Sequence, residues 1–370
     1  MRKELPTYQL IIITVFLGIL LSFSVFYLTN MFVNTDAAIA DVCYDGRVIE
    51  GEDFISSFDR AVYQSATSLE RVHEYQYDFF GIVNSAEVVA GKDNFLFEIY
   101  DEENDYYYLE DFTGNATFTE EQAAAILAEL TRRRDLYESR GAEYLLVVIP
   151  NAQTVYSECM PHYYGPISEN TRLEALDDYL QTRGYYNLVN LTEDLREAKK
   201  DGQLYNNTEN SLNSLGMYYT YRAVYQRFSA DVRASADVIE RERLSFYQHM
   251  MSGKSVARRA GVADVVENRT VSLSNGTRLN YRYLANTGRT STTILLPFYV
   301  SSAVSGSPEL LLQFSNTWER LQIEPFFSNT FGKVTYQTDL TDDLTVYGEA
   351  NPRVVIQFIY ENQLSLLLPE

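Results

Sequence analysis

The sequence is poor in the residues that build metal and redox sites. It contains only two cysteines and three histidines among 370 residues, namely Cys43, Cys159, His73, His162 and His249. All five stand apart, and no pair has the spacing of metal ligands or of a redox motif. The sequence therefore predicts no cofactor and no metal.

Basic side chains are also scarce. Lys and Arg number 30 against 51 Asp and Glu, so the net charge is -21 at pH 7. Binding to nucleic acid needs clustered Lys and Arg that neutralise phosphates, and an acidic surface is repelled by them. This balance predicts that nucleic acid is not a partner. The 30 Tyr and 20 Phe are expected mainly in the core, although exposed rings can stack on sugars.

One apolar run has the length of a membrane span. Leu10 to Leu28 contains no charged residue and matches the roughly 20 residues that cross a bilayer as a helix. Arg2 and Lys3 precede the run, so the positive-inside rule places the N-terminus in the cytoplasm. We expect residues 1–34 to form a cytoplasmic tip and a signal anchor in the cell membrane, with the remaining chain extracytoplasmic.

A cleaved signal peptide is the alternative to this anchor. Ala38-Ile39-Ala40 has the pattern of a cleavage site, but it lies far beyond an apolar core that is itself too long for a signal peptide. The uncleaved anchor is therefore favoured. Outside the membrane, Cys43 and Cys159 can pair as a disulfide or remain two buried thiols, and both readings stay open.

Beyond a linker and helical stalk at residues 35–84, the pattern predicts one α/β domain over residues 85–370. Thr119 and Gln122 have the spacing of a helix capping box. Tyr144 to Pro150 is a continuous apolar run, typical of a parallel strand buried on both faces. Because strands alternate with helices, we expect a doubly wound, mostly parallel sheet. The acidic, tyrosine-rich run Asp101 to Asp111 is interpreted as a solvated loop.

The second half of the chain predicts an insertion and then further strands. Residues 271–273 and 279–283 alternate across Asn275-Gly276, a strong hairpin signal, so we expect a β-hairpin insertion at about residues 265–290. The pattern then returns to α/β. Three more strands are predicted at residues 310–314, 334–336 and 354–360.

Several blocks, in this order, resemble a known family. They are Ala90 to Phe97, Val147 to Tyr156 followed by Met160-Pro161, Thr208 to Gly216, and Asn316-Thr317-Trp318. Together they are similar to the DHHW-type proteins, relatives of the alginate O-acetylation proteins J and X within the SGNH-hydrolase-like superfamily. The resemblance implies an SGNH-hydrolase-like α/β fold for the domain.

The resemblance also implies where the chemistry of active relatives would lie. In those proteins a serine of the late block attacks an acetyl ester, and a histidine two residues after an aspartate activates it. Here the aspartate position holds Glu209, the histidine position Ser211, and the nucleophile position Thr317. A serine cannot take up a proton at neutral pH, so we expect these positions to be degenerate. Three asparagines are expected to line the groove for substrate: Asn151, Asn206 and Asn316.

These expectations lead to one favoured function and its alternatives. The favoured one is a binding role in polysaccharide O-acetylation, either toward cell-envelope or exopolysaccharide or beside a membrane-bound O-acyltransferase. An alternative is an active O-acetyltransferase or acetyl esterase that uses Thr317 with an unusual base such as Glu209. A third is a structural envelope protein. Residues 206–213 can also be read simply as a polar loop that caps the next helix.

Overall fold

A mostly parallel sheet organises the domain. The structure, a computed structural model, describes residues 73–78, 80–83, 85–101, 105–274, 281–283, 298–302, 307–314, 317–337 and 352–369. For residues 281–283, 298–302 and 317–321 it describes the backbone alone. Residues Gln76–Glu370 form one compact unit. The predicted anchor, the predicted stalk helix over residues 54–69 and Cys43 lie outside the described residues.

The strands are short at the start of the domain and longer in its centre. They are β1 (Val88–Ala90), β2 (Leu96–Glu98), β3 (Tyr100–Asp101), β4 (Tyr106–Tyr107), β5 (Glu143–Ile149), β6 (Leu188–Asn190), β7 (Phe246–Ser252), β8 (Glu267–Leu273), β9 (Tyr281–Tyr283), β10 (Phe298–Ser302), β11 (Glu309–Phe314), β12 (Lys333–Gln337) and β13 (Val354–Tyr360).

Helices alternate with the longer strands. They are α1 (Tyr108–Phe112), α2 (Glu120–Glu138), α3 (Ala152–Val155), α4 (Arg172–Thr182), α5 (Thr192–Ala198), α6 (Ser214–Arg227), α7 (Ala230–Ser235), α8 (Ser255–Arg259) and α9 (Thr317–Thr330). Short 3-10 turns occupy Ser157–Cys159, His162–Tyr164, Lys199–Asp201, Arg241–Arg243 and Glu361–Leu367.

The main sheet has the strand order β6-β5-β13-β11-β12-β10-β9. The first five strands in that order are parallel to their neighbours. β10 runs antiparallel to β12, and β9 runs antiparallel to β10. The predicted α/β fold with a parallel central sheet is confirmed.

The position of β5 in the sheet explains why its sequence is apolar at every position after Glu143. Leu145 and Val147 belong to one core, which also contains side chains of α6 and α9. Leu146 and Val148 belong to a second core, which contains side chains of α2 and α4. Because successive strand residues face opposite sides, helices on both faces leave β5 no solvent-facing position.

Local signals in the first half of the domain are confirmed. Gln122 donates its backbone N–H to Thr119 Oγ1 at 3.2 Å, and Thr119 N donates to Gln122 Oε1 at 2.9 Å, which completes the capping box. β1 and β2 pair antiparallel around a turn in which Asp93 and Asn94 have φ angles of 57° and 60°. Short polar side chains tolerate that left-handed conformation.

The interpretation of residues 101–111 as a solvated loop is wrong. The segment pairs β3 with β4 and then enters α1, and Tyr106, Tyr108 and Asp111 are buried. Acidic composition indicated exposure, but neighbouring elements supply donors for this aspartate. Arg172 N, at the start of α4, donates to Asp111 Oδ1 at 2.5 Å.

The predicted turn at Asn275-Gly276 lies outside the described residues, and the strands on either side of it pair with other strands and not with each other. β8 pairs along its whole length with β7, in the register Phe246↔Leu273 to Ser252↔Glu267. β9 instead pairs with β10 in the main sheet. The turn signal is local, whereas the choice of strand partner depends on packing, since β8 buries Asn268 and Val271 against the rest of the domain.

Among the described residues, no helix combines the length and apolar character needed to cross a membrane. Cys159 is buried and forms no disulfide with any described residue. Burial raises its pKa to about 11, and nearby Glu158 and Asp93 act in the same direction.

Candidate functional site

The carboxyl ends of three adjacent parallel strands define one edge of the sheet. β5, β13 and β11 are neighbours and run in the same direction, so the residues after them meet at this edge. These are Asn151 after β5, Glu361 after β13, and Thr317 at the start of α9 after β11. Open α/β sheets bind ligands at the carboxyl ends of their strands.

The segment Thr208 to Gly216 folds back on itself at this edge. Tyr205 and Leu212 form an isolated antiparallel bridge, and Asn213 N donates to Leu204 O at 2.8 Å. Asn213 Oδ1 then accepts from the backbone N–H groups of the first turn of α6, at 3.0 and 3.1 Å. The reading of this loop as a helix cap is therefore correct as local structure.

Glycine is required at position 216 by a close backbone approach. A Cβ atom on Gly216 would lie 2.4 Å from the carbonyl oxygen of Leu204, and 2.6 Å from a side-chain carbon of Leu212. The absence of a side chain lets the start of α6 pack directly against the strand-like segment before the loop. This contact fixes the loop to the helix.

Buried polar contacts hold the loop from the other side. Asn207 Nδ2 donates to Asn94 O at 2.8 Å and to Glu267 O at 2.9 Å. Thr208 Oγ1 donates to Asn268 Oδ1 at 2.7 Å. Both Asn207 and Thr208 are fully buried. The loop is thus anchored to β8 and to the turn before β2.

Three predicted site residues meet in the loop. The buried Asn206 donates its Nδ2 to Ser211 Oγ at 2.9 Å and to Glu209 Oε2 at 3.5 Å. Its backbone N–H also donates to Ser211 O at 3.0 Å. Glu209 and Ser211 are both half-buried. Asn206 therefore lies between the positions that the resemblance assigns to the family aspartate and histidine.

No histidine takes part in the hydrogen bonds of this trio within the described part of the chain. His249 lies on β7, where its Nε2 is 3.3 Å from Ser272 Oγ. His162 lies in a 3-10 turn, with its ring against that of Tyr163. The described residues also contain no group of three or more His, Cys, Asp and Glu that could hold a metal ion.

The late block is only partly described. α9 begins at Thr317, whose side chain is not described, and Asn316 lies outside the described residues. One contact brings α9 toward the loop: Ser214 Oγ donates to Gln322 Oε1 at 3.4 Å. The assignment of Thr317 and Asn316 to the site stays a prediction.

Asn151 lies in a buried network below the loop and not in contact with Asn206. Its backbone N–H donates to Glu361 Oε2 at 2.6 Å, and its Nδ2 donates to Tyr106 OH at 3.1 Å. The next residue, Ala152, donates its N–H to Asn210 Oδ1 at 3.0 Å. Asn210 therefore joins the loop to the end of β5.

Two buried carboxyl groups, Asp111 and Glu361, lie in this network. Glu361 is fully buried and accepts from Thr154 Oγ1 at 2.7 Å in addition to the bond from the end of β5. Tyr106 OH donates to Asp111 Oδ2. Burial, followed by the adjacent Asp111 carboxyl, raises the pKa of Glu361 to about 8. Burial also raises the pKa of Asp111.

Two buried carboxylates side by side repel each other, so the protonated form of Glu361 is favoured near neutral pH. Sequence reasoning missed both. Asp111 fell in the segment interpreted as a solvated loop, and no motif marked Glu361. One feature of the sequence could have indicated Glu361: it is an acidic residue directly after an apolar run that is predicted to be a strand.

A second polar chain leads from the loop to the surface. Asn210 Nδ2 donates to Tyr108 OH at 3.0 Å, and Asn362 Nδ2 donates to the same hydroxyl at 3.1 Å and to Asp101 Oδ2 at 2.7 Å. Burial raises the pKa of Tyr108, with Asp101 the largest charged contribution. The loop is connected in this way to the β3–β4 hairpin.

The parallel central sheet and the polar edge are consistent with an SGNH-hydrolase-like α/β domain. Residues 88–252 match the family model described as "SGNH hydrolase-like domain, acetyltransferase AlgX". The resemblance drawn from the sequence is thereby confirmed for this part of the chain, which includes the loop at Thr208 to Gly216. No curated protein matches the chain significantly.

Solved structures with the same fold accompany this match. A DHHW family protein from Eubacterium siraeum has a TM-score of 0.53 at 13% identity, covering 76% of this chain and 92% of that one. Bacillus cereus PatB1, in a structure with a sulfonyl adduct, has a TM-score of 0.52 at 11% identity, covering 76% and 96%. The O-acetyltransferase domain of Pseudomonas putida AlgJ has a TM-score of 0.48 at 14% identity, covering 75% and 92%. At such identities the likeness concerns the fold.

Proposed function

We propose that this chain takes part in the O-acetylation of an extracytoplasmic polysaccharide as a binding component that has lost acetyl-ester chemistry. It would bind cell-envelope or exopolysaccharide at the carboxyl edge of the sheet, beside a membrane-bound O-acyltransferase. The match of residues 88–252 to an AlgX-type domain supports the process. The chemistry of the loop supports the role within it.

The observation that carries the proposal is the state of Ser211. Its hydroxyl accepts a hydrogen bond from Asn206 Nδ2 at 2.9 Å, where the resemblance expects an imidazole. General-base assistance is worth roughly 10²–10⁴ in rate, and a serine hydroxyl supplies none at neutral pH. The nearest carboxylate in the loop, Glu209, contacts Asn206 at 3.5 Å.

Membrane anchoring through Leu10 to Leu28 is part of the same proposal. It rests on the uncharged apolar run and on Arg2 and Lys3 before it. An anchor of this orientation would keep the domain on the outer side of the membrane, where envelope polysaccharides are modified. Fractionation of cells and protease protection of the domain test this placement directly.

The catalytic half of the proposal is tested with a chromogenic acetyl ester. The purified full-length chain, the Thr317→Ala variant and a matched control, Thr182→Ala on the exposed end of α4, are assayed side by side. We expect all three to hydrolyse the ester at the same background rate. Enzymatic turnover by the wild type that only Thr317→Ala abolishes would establish the active alternative, and labelling of Thr317 by a serine-hydrolase probe would support it.

The binding half needs its own measurement. Retention of the full-length chain on immobilised envelope polysaccharides, or its co-purification with a membrane-bound O-acyltransferase, is the expected result. Failure to bind any glycan or acyltransferase would leave a purely structural envelope protein and contradict the proposal.

A further inference from the structure

The side chain of Asn210 bridges two separate segments of the domain. Its Oδ1 accepts from Ala152 N at 3.0 Å, at the carboxyl end of β5, and its Nδ2 donates to Tyr108 OH at 3.0 Å, on α1. Both bonds are made by one half-buried residue of the Thr208 to Gly216 loop. The position of this loop at the edge of the sheet therefore depends on the spacing between α1 and the end of β5.

Each of these two segments also holds one of the buried carboxyl groups. Asn151, which directly precedes the contact at β5, donates its backbone N–H to Glu361 Oε2 at 2.6 Å. Asp111 lies on α1, one helical turn after Tyr108. Asn210 thus joins the same two segments that are linked through the carboxyl pair. A change in the spacing of the two carboxyls is transmitted to both hydrogen bonds of its side chain.

A second negative charge in this pair would find little compensation. The hydrogen bonds that the two carboxyls accept come from backbone N–H groups and hydroxyls, namely Asn151 N, Thr154 Oγ1, Arg172 N and Tyr106 OH. Such donors stabilise one charge, whereas a second would stand beside the first in a buried site. One proton on Glu361 therefore decides whether the pair is held together or driven apart.

The other charged and titratable groups around the pair come from several elements. They are Tyr106 on β4, Tyr108 on α1, Arg172 on α4, Arg196 on α5 and Asp101 on β3. Burial raises the pKa values of the two tyrosines, which therefore stay neutral over the range in which the pair titrates. Burial also raises the pKa of Asp111, and Arg172 acts against that rise, which leaves Glu361 as the group that holds the proton.

We propose that the Asp111–Glu361 pair is a proton-controlled latch for the Thr208 to Gly216 loop. With a proton on the pair, α1 and the end of β5 stay together and Asn210 holds the loop against the sheet. After the proton is lost to water, the two carboxylates repel each other, the bonds of Asn210 weaken and the loop opens. The inference takes from the proposed function that ligands bind at this loop, and it adds that the state of the loop depends on pH.

The direction of the effect follows from proton linkage. Burial, followed by Asp111, raises the pKa of Glu361 from 4.5 to about 8, so the closed loop is most favoured at low pH and becomes less favoured as pH rises between these values. Full recovery of the ordinary pKa on opening would increase the open population tenfold per pH unit. Opening relieves the repulsion only in part, so we expect about tenfold more open loop at pH 8 than at pH 6.

The test is hydrogen–deuterium exchange of the full-length chain at pH 6, 7 and 8, corrected for the intrinsic increase of exchange with pH. The reporter amides are Asn206 N, which donates to Ser211 O at 3.0 Å, and Asn213 N, which donates to Leu204 O at 2.8 Å. The amides of β5 serve as the internal reference. We expect the protection of the loop amides to fall by about tenfold between pH 6 and pH 8, while that of β5 stays constant.

Variants locate the latch. Glu361→Gln should make the protection of the loop nearly independent of pH, because glutamine imitates the protonated carboxyl. Asn210→Ala removes the bridge, so its loop amides should be weakly protected at every pH, while the pH dependence of its global unfolding stays that of the wild type. The matched control is Glu110→Gln, an exposed carboxyl on α1, which should respond to pH as the wild type does.

Each other outcome overturns the inference. Constant protection of the loop in the wild type would exclude the latch, and this measurement holds even if Glu361→Gln does not fold. Equal loss of protection in the loop and in β5 would show global unfolding in place of loop opening. A pH response in Glu361→Gln as large as that of the wild type would assign the effect to another group. These measurements use no ligand, so their failure leaves the proposed function to its own tests.

Discussion

Replacing Glu361 by Gln should flatten the pH dependence of stability. Glu361 is fully buried, accepts from Asn151 N at 2.6 Å and Thr154 Oγ1 at 2.7 Å, and faces Asp111. A glutamine can accept the same two bonds through Oε1 and donate from Nε2 toward the Asp111 carboxylate. We therefore expect the variant to fold and to imitate the protonated form of Glu361.

The direction in which stability changes with pH follows from the direction of the pKa shift of Glu361. Burial, reinforced by Asp111, raises the pKa of Glu361 from 4.5 to about 8, so the folded state holds a proton that the unfolded state has lost between those values. The unfolding free energy therefore falls as pH rises from 4.5 to 8, by at most about 1.4 kcal/mol per pH unit for one proton. Between pH 6 and pH 8 the wild type should lose up to roughly 2–3 kcal/mol that the variant keeps.

Other charged or titratable groups face this carboxyl. Asp111 on α1 has a pKa raised by burial, Tyr106 and Tyr108 add hydroxyls with raised pKa values, and Arg172 at the start of α4 lies over the Tyr106 ring at 5.0 Å. The Arg172 cation lowers the pKa of Asp111 and so moderates the slope without changing its sign.

The assay is urea unfolding of the full-length chain, followed by circular dichroism at intervals between pH 5.5 and pH 8.5. The control is Glu110→Gln, which removes an exposed carboxyl on the same helix as Asp111. Wild type and control should lose stability toward pH 8, and Glu361→Gln should lose markedly less. Parallel curves for all three proteins would refute the raised pKa of Glu361.

Three further perturbations test the loop and the buried thiol. Asn213→Ala should lower the unfolding free energy by about 1–2 kcal/mol in a urea titration, because it removes the acceptor that caps α6 and the donor to Gln203 O at 2.7 Å; an unchanged unfolding curve would contradict the cap. Gly216→Ala should cost about 1–3 kcal/mol, because its Cβ would lie 2.4 Å from Leu204 O; a neutral result would contradict the close approach. In a Cys43→Ser chain, Cys159 should react with a thiol reagent at pH 8 far more slowly than after unfolding, because its pKa of about 11 leaves little thiolate; equal rates would refute its burial.

The main sheet was predictable because its signals are local and repeated. The continuous apolar run of β5 indicated a strand covered on both faces, and residues 354–360 indicated a further strand. The structure pairs these two strands in parallel over seven residues. The capping box at Thr119 was equally readable, since both partners lie within four residues. The hairpin across Asn275-Gly276 failed because turn preference does not choose a strand's partner.

The candidate site was predictable only in part. Ordered blocks marked the loop at Thr208 to Gly216, and the structure places Glu209 and Ser211 on either side of Asn206. The same sequence blocks did not show that Asn151 has a different environment from Asn206. Asn151 donates hydrogen bonds to Glu361 and Tyr106 in the buried carboxyl network.

By itself, the sequence determined the α/β class, the family resemblance, the acidic balance and the presence of a serine where relatives carry a histidine. Each of these depends on residue identity or on spacing along the chain. Only the tertiary structure decided that Asp111 and Glu361 meet, 250 residues apart in sequence, and that Asn210 of the loop donates to Tyr108 OH. The physical reason is that burial and proximity set the charge state and contacts of these groups, and both arise when separate segments pack at one edge of the sheet.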